Sequence, residues 1–560
     1  MHQTHNGTRA SAVWGARGWL WIATVSLCAA VAAIAGAFAG VSTAATPEVR
    51  LVKGSYVPGE VLVRFREGAS ASAMAAAHAS AGATVLRSFT SVSDLQLVRL
   101  SGMSVGEALA KYRQRSDVLY AEPNQIYRID DVELTPNDPF YPSMYNLNNT
   151  GQTGGTPDAD IDAPEAWNVT TGSNAVYVGV LDTGVDWDHP DLINNTKPNP
   201  AECNGQAGQD DDSNGYVDDC HGIDPLNGDT NPMDDNGHGT HTSGTIGAIG
   251  NNNTGVTGIN WNVQIIACKT HDPSGNGDAA ALVECLQYME IMKAQGKNVV
   301  ATNNSYGGCP EACGFSQALE DAIASNMDEG ILFVASAGND AANNDTTLKY
   351  PADYFVPNVI AVAATDDDDL LASFSNFGTN TVSVGAPGVL VRSTVWNNSY
   401  TYFSGTSMAG PHVAGIAGLL AAQDPTRTWS DIRNLILAGG DPKASLTNKT
   451  ITGRRVNANG SLTCARQKVF GPLRPLPAVD GQDPITVAAL NINCARAARA
   501  PTVTITPGNT VIQLKDDGRG ADLARRDGIF SGRWNLSPCD PGTYTLTYSN
   551  GKQDITTVTC

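Results

Sequence analysis

A chain of 560 residues, 41% of them hydrophobic, has enough apolar material for several globular cores, which excludes a single small module. The net charge is −21, and residues 132–560 hold 47 acidic against 23 basic side chains. That sign excludes nucleic acid as a partner, because phosphate binding needs the opposite charge, and it suits a soluble extracellular protein with cation-binding loops.

The first segment, residues 1–45, reads as a secretory leader. Arg9 and Arg17 precede an uncharged apolar run from Gly18 to Val41, with small residues at Ser42, Ala44 and Ala45. The run is long enough to raise a membrane anchor, but its Ala and Gly content and its small-residue exit favour cleavage. Cys28 follows VSL, where a lipid-anchored leader would need a small residue in place of Leu27. Residues 46–131 form the next unit. GEVLVRF (59–65) alternates like a strand, SASAMAAAHASAG (70–82) is helical, and ATVLRSF and LQLVRL are strands. SVGEALAKYRQRS (104–116) has helical spacing, and VLYAEPNQIY closes as a strand. The order βαββαβ is ferredoxin-like. His78 in this unit reads as an ordinary histidine ahead of a pH sensor.

Over residues 132–462, apolar runs alternate with helical stretches, as in an α/β protein with a mostly parallel sheet. AVYVGVLD (175–182) is a buried strand ending at Asp182, and active sites of open α/β sheets gather at such carboxyl ends. DDNGHGTHTSG carries His238 at a helix start, and FSGTSMAGPHVAG carries Ser407 before a helix of small residues. An acid, an imidazole and a hydroxyl together make a neutral alcohol nucleophilic at pH 7. A Ser407 hydroxyl at a helix N-terminus would sit where the dipole favours developing negative charge, with Pro411 fitting about the first turn. Between Asp182 and His238 lies CNGQAGQDDDSNGYVDDC (203–220). Asp210, Asp212, Asn214, the Tyr216 carbonyl and Asp218 match the ligand positions of an EF-hand-type loop, with Gly215 at its turn. This spacing points to a structural Ca2+. Its last position is His221 and not Glu, so Asp219 is a candidate for the missing ligand. No HExxH occurs, and zinc is not expected.

These motifs, in the order Asp, His, Ser with glycines around each, resemble the subtilisin-like serine endopeptidases (subtilases) over roughly residues 132–460. The resemblance implies a subtilisin-like α/β fold in which His238 is the catalytic imidazole and His241 packs. ILFVASAGND (331–340) then supplies Asn339 as oxyanion donor beside the Ser407 N–H. Ser305, Tyr306 and Gly307 become one wall of the specificity pocket and a strand edge for an extended peptide, with Ala335, Ser336 and Ala337 opposite. Small walls imply broad specificity, although Tyr306 is bulkier than the leucine frequent there. Lys349 falls near the pocket floor, where it either favours an acidic residue before the cut or is a solvated loop lysine. Asp138 resembles a second calcium ligand. The ferredoxin-like unit resembles an inhibitory propeptide, with autocleavage expected between about 127 and 137.

The tail, residues 463–560, begins with a Pro-rich linker or divergent strand region and continues as short strands, the pattern of a β-sandwich. Without the leader, ten cysteines remain, an even number that fits disulfides in an exported chain. Cys203/Cys220, Cys309/Cys313 and Cys539/Cys560 are local pairs, and Cys268/Cys285 and Cys464/Cys494 would complete the set; the alternative is that one or two cysteines, Cys268 and Cys285 foremost, are buried free thiols. The function expected is a secreted, extracellular, calcium-stabilised serine endopeptidase made as an autoprocessed zymogen. Its partners would be polypeptide substrates and its own propeptide, with no nucleic acid, no stable membrane anchor and a monomeric state. A catalytically silent binding protein or adhesin on the same scaffold is the alternative. An esterase is disfavoured, because α/β-hydrolases run Ser, Asp, His.

Overall fold

The computed structural model describes residues 56–126, 134–308, 314–481, 484–536 and 538–560. The expected leader, the first part of the expected autocleavage region and the Cys309/Cys313 pairing lie outside them. The chain divides into two compact units, Met1–Asp130 and Asp131–Cys560.

In the first unit, strands Tyr56–Phe65, Ala83–Ser88, Leu95–Leu100 and Val118–Gln125 alternate with helices Ala71–Ser80 and Val105–Arg113 in the expected βαββαβ order. Every strand pairing is antiparallel, and the first strand lies between the third and fourth. Alternation turns Val61, Val63 and Phe65 inward against Leu109 and Tyr112 of the second helix. That helix starts with a reciprocal Ser104–Glu107 capping box. His78 is buried, with its ring nitrogens bonded to the Tyr112 hydroxyl (2.9 Å) and Gln96 Oε1 (2.7 Å).

A nine-stranded sheet centres the second unit. From edge to edge its strands are Asp441–Pro442, Arg454–Arg455, Val384–Pro387, Val359–Thr365, Leu332–Ser336, Asn298–Asn304, Gly172–Asp182, Asn262–Lys269 and Gly222–Ile223. All neighbours run parallel except the first pair. Buried on both faces, the central strands read as continuous apolar runs, and successive residues feed opposite cores. Val176, Val178 and Val180 share a core with helix Thr406–Gln423, while Leu181 joins the core under helices Ala279–Ala294 and Gln317–Asp328.

The last hundred residues build two further sheets. Lys468–Arg474, Ile485–Asn493, Arg496–Ala497 and Ile529–Trp534 form one; Ala478–Asp480, Gln553–Thr559, Gly542–Tyr548, Thr502–Thr506 and Thr510–Gln513 form the other. Val487, Phe530 and Trp534 from the first sheet and Val503, Leu546 and Tyr548 from the second share a core, which makes a β-sandwich. The Pro-rich stretch at its start contributes residues to strands Lys468–Arg474 and Ala478–Asp480. Val469, Leu473, Leu490 and Ile492 of the first sheet also join the main core beside Ile432 and Ile436. Arg433 and Asp527, both almost fully buried, form an ion pair (3.2 Å) across that junction. Disulfides Cys203–Cys220, Cys268–Cys285, Cys464–Cys494 and Cys539–Cys560 are formed.

Candidate active site

Strand register assembles the site. Leu181 pairs with Asn304, and Asn304 with Ala335, so Asp182, Ser305–Gly307 and Ser336–Asn339 leave the sheet at one carboxyl edge. Helix His238–Gly247 starts at His238, whose Nδ1 lies 2.7 Å from Asp182 Oδ1. This close approach requires Gly239 to be glycine: a Cβ there would lie 2.0 Å from the Gly184 carbonyl oxygen and 3.0 Å from Asp182 Cβ.

The pair's electrostatics are reciprocal. Burial pushes Asp182 up, but the His238 charge and hydrogen bond outweigh it and hold the carboxyl below its ordinary range. Burial likewise pushes His238 down, and the Asp182 charge and bond leave it above the usual imidazole value. His241 is different. It is buried, stacks on Phe403 and donates its Nε2–H to the Val391 carbonyl (3.0 Å), and burial drives it down to about 3, so it packs as a neutral ring.

Ser407 is the second residue of helix Thr406–Gln423. Pro411 lies in the second turn, not the first, and this has a consequence. With no N–H, proline cannot bond the carbonyl four residues back, which is that of Ser407. The Ser305 hydroxyl donates to that carbonyl (2.9 Å), and the Ser407 hydroxyl donates to the Ser305 carbonyl (3.1 Å). A two-way clasp thus ties the nucleophile's backbone to the substrate edge. In this conformer no hydrogen bond joins Ser407 to His238; such bonds are often loose before substrate arrives.

Asn339 is oriented from behind. Its Oδ1 accepts from both the backbone N–H and the hydroxyl of Thr406 (2.8 Å each). The amide Nδ2 is therefore left to face the other way. A Cβ on Gly405 would lie 3.5 Å from that Nδ2 and 3.6 Å from the Ser407 nitrogen, so both donors border one small space beside Gly405.

The expected pocket walls flank this point. Ala335, Ser336 and Ala337 are buried, and the Ser336 hydroxyl reaches the Tyr306 carbonyl (3.5 Å). The Tyr306 ring turns toward His271 (5.0 Å between centroids) and donates its hydroxyl to Asn304 (3.0 Å). Lys349 is not a solvated lysine. Its stem packs against Gly307 and Gly338, and its ammonium pairs with Asp340 (2.9 Å) while only 12% of its side chain is exposed.

Two residues at this edge escaped the sequence reading. Asp234 accepts from Thr183, Gly237 and Thr240 and so braces the turn that carries His238. Its signal was its place four residues before the imidazole. His271 donates its backbone N–H to the Asp182 carbonyl (3.2 Å) and lines one pocket with Asp182, His238 and Tyr306.

The carboxylate loop closes differently from a simple EF-hand. Asp212 and Asp219 converge with Glu202, each offering an oxygen within 4.8 Å of the others. Asp219 accepts from Asn199, Asn214 and the Tyr288 hydroxyl. Asp210 instead caps the Asn214 and Gly215 N–H groups, Asp218 accepts from Gly208, and Tyr216 stacks edge-on against Tyr288. His221, the last loop position, is turned away and stacked on Trp187. Glu202 was missed because it precedes the loop, yet it adjoins Cys203, whose disulfide to Cys220 brings 202 beside 219. No lysine or arginine forms an ion pair with this trio among the described residues, and an all-oxygen donor set of this charge fits a hard cation. Asp138 and a second buried carboxylate, Asp191, are braced by the same turn: Asn251 donates to Asp138, and Asn252 and Val256 donate to Asp191. Burial pushes Asp191 up to about 6.

Comparison with known families decides the lineage. The subtilase family profile matches residues 173–453, and a fervidolysin N-terminal prodomain profile matches residues 42–124. The chain belongs to the subtilase family. A thermophilic serine proteinase of Bacillus sp. (strain AK1) is 36% identical over 415 residues, covering 73% of this chain and 89% of that protein. Thermitase of Thermoactinomyces vulgaris is 38% identical over 324 residues, 58% of this chain and 98% of that protein. This subtilase is a serine-type endopeptidase with a prodomain, and its large, mostly parallel sheet flanked by helices is the fold its motifs implied.

Proposed function

We propose that this subtilase is a secreted, calcium-stabilised endopeptidase that matures by cutting off its own prodomain. Asp182 fixes the tautomer of His238 through Nδ1, so that Nε2 can take the Ser407 proton once the hydroxyl rotates away from the Ser305 carbonyl. Ser407 Oγ then attacks the scissile carbonyl of a peptide laid along Ser305–Gly307. The oxyanion that forms is met by Asn339 Nδ2 and the Ser407 N–H, donors already in place and therefore free of reorganisation cost. His238 protonates the leaving amine, and water hydrolyses the acyl-enzyme by the same base.

The observation that carries this reading is the orientation of Asn339. Its carbonyl oxygen is held by Thr406, which leaves only a donor facing the nucleophile. A silent adhesin on this scaffold would have no use for that arrangement. In the same reading Glu202, Asp212, Asn214 and Asp219 hold Ca2+, which stabilises the loop between the acid and the imidazole; Asp138 and Asp191 belong to a second such corner. Residues 1–45 act as a cleaved leader, residues 46–131 as an intramolecular inhibitor, 132–462 as the peptidase and 463–560 as the sandwich. No described helix is long and apolar enough to cross a membrane. Substrates are polypeptides, and the enzyme acts as a monomer.

The test is to express wild type beside Ser407→Ala and to follow intact mass and casein hydrolysis. Wild type should shed about 130 residues and digest casein. The variant should lose at most its leader and retain about 10⁻⁶ of kcat, a magnitude taken from the subtilisins themselves. Equal processing of both chains, with casein intact, would sink the self-maturing enzyme.

A further inference from the structure

Two loops leave the sheet on either side of Asp182. Strand Asn298–Asn304 lies along one flank of Gly172–Asp182 and runs on into Ser305–Gly307, while Asn262–Lys269 lies along the other and runs on into His271. A cavity of about 250 Å³ opens between these exits, lined by Asp182, Asn236, His238, His271, Tyr306 and Gly307. Strand Leu332–Ser336, which leads to the Ala337 wall, flanks Asn298–Asn304 on the side away from Asp182. Ser305–Gly307 therefore separates two pockets. An extended peptide paired with that edge turns successive side chains to opposite sides. With the residue before the scissile bond in the Lys349 pocket, the one preceding it enters the His271 cavity.

The His271 imidazole is held in place there. Its ring packs at a tilt against Tyr306, 5.0 Å between centroids, and its Nδ1 lies 2.8 Å from Thr270 Oγ1. The Thr270 hydroxyl donates to the Asp182 carbonyl (3.3 Å), so its oxygen is left to accept from His271. This direction assigns the proton of the neutral ring to Nδ1 and a lone pair to Nε2, the ring's remaining polar atom. Gly277 leaves Nε2 uncovered, since a Cβ there would come within 2.9 Å of it.

We infer that His271 is a specificity-determining residue for the side chain two positions before the scissile bond, where its Nε2 accepts from a hydrogen-bond donor such as an Asn, Gln, Ser or Thr side chain. The inference rests on the reading of Ser305–Gly307 as the substrate edge and adds a second recognition element to it. Burial holds His271 below the usual imidazole value; the Asp182 charge and carbonyl and the Asp272 charge oppose that, and the His238 charge adds to it. The ring is thus neutral at pH 7 and offers an acceptor. On acidification Nε2 gains a proton and becomes a cationic donor, which suits an acceptor-only carboxylate instead.

The experiment uses the full chain after maturation and peptide nitroanilides with one fixed residue before the bond and Asn, Leu or Asp preceding it. These three side chains have nearly one shape. Each kcat/KM ratio is taken within one enzyme at one pH, so the titration of His238 cancels. Wild type should favour Asn over Leu by about tenfold, and His271→Leu should bring that ratio to about one or below. Between about pH 8 and about pH 5 the wild-type ratio of Asn to Asp should fall. His271→Gln, which keeps an acceptor but does not titrate, should retain the preference for Asn over Leu and lose the pH response. An Asn-to-Leu ratio near one in wild type, or the same ratio in wild type and a folded His271→Leu, would overturn the inference. Where His271→Leu does not mature, a wild-type pH response in His271→Gln overturns it equally. Lys349→Met, assayed with peptides that vary the residue just before the bond, keeps the two readings apart. If it shifts those ratios while the His271 variants shift none, the substrate edge stands and the part given to His271 falls; if neither residue alters any ratio, the reading of the edge falls with it.

Discussion

Two acidic regions of this subtilase handle buried charge in opposite ways. At the sheet edge, Asp182 is almost fully enclosed, and one imidazole at 2.7 Å with the Thr183 N–H at 2.8 Å compensates it. In the loop, Glu202, Asp212 and Asp219 face one another, and their hydrogen bonds come from neutral amides and one phenol. A carboxylate that must tune a base needs a partner whose charge can come and go. A carboxylate trio that only holds a loop needs a fixed positive charge, and the chain supplies none within ion-pair reach among the described residues. The edge is thus complete as it stands, whereas the loop's acidic cluster could hold an ion.

The sharpest way to break that contrast is at the edge. Asp182→Asn, matured in trans by wild type, should lower kcat by about 10⁴ while thermal stability changes little, because the side chain keeps its shape and loses its charge. Wild-type kcat/KM should rise with pH through a value above the 6.5 of a free imidazole, since His238 must be neutral to accept a proton and Asp182 raises it. In Asp182→Asn that rise should move to lower pH. A rate loss under tenfold would mean that His238 does not depend on its partner. Next in size is Asn339→Ala. Removing one preorganised donor should cost about 10²–10³ in kcat with little change in KM, a magnitude known from the subtilisins themselves. A pure KM effect would show that Asn339 binds substrate rather than the oxyanion.

Legibility in the sequence followed distance along the chain. Asp182, His238, Ser407 and Asn339 were readable because each ends or closely follows a buried strand or opens a helix, and local glycines mark the turns. Both cores were readable from apolar runs, and the βαββαβ unit from its alternation. Glu202 was hidden because a disulfide, not the loop's own spacing, brings it to Asp219. The solvated-lysine reading of Lys349 fails because its burial depends on bare backbone at Gly307 and Gly338, in the segments that follow two other strands. The sandwich was legible as strands, but not its attachment. Arg433 to Asp527 is a single long-range charge pair, and no periodicity announces such a pairing.

The loop side of the contrast is tested by chelation. Removing Ca2+ should lower thermal stability, by about 2.7 kcal/mol relative to a solution holding the ion at a hundred times its dissociation constant. The wild-type melting temperature should climb with added Ca2+, and Glu202→Gln should flatten that response. Asp210→Asn should flatten it less, because Asp210 caps backbone N–H groups instead of joining the trio. Equal responses from the two variants would put the ion in the EF-hand-like positions and dismiss the Glu202 cluster.

The smallest expected effect concerns Lys349, where the edge itself contains a fixed ion pair. Asp340 already neutralises the ammonium, so the pocket as folded offers a packed stem and a spent charge to an incoming side chain. Asp340 is 38% exposed, which keeps the pair's own stabilisation small and makes its removal tolerable for the fold. Asp340→Asn should therefore release Lys349 and raise kcat/KM for peptides with Asp or Glu before the scissile bond by about tenfold relative to those with Leu, and salt should erode the gain. Lys349→Met in the same background should abolish it. If Asp340→Asn leaves the ratio of acidic to apolar substrates unchanged, the ammonium does not face the substrate, and the pocket floor is set by the lysine's stem alone.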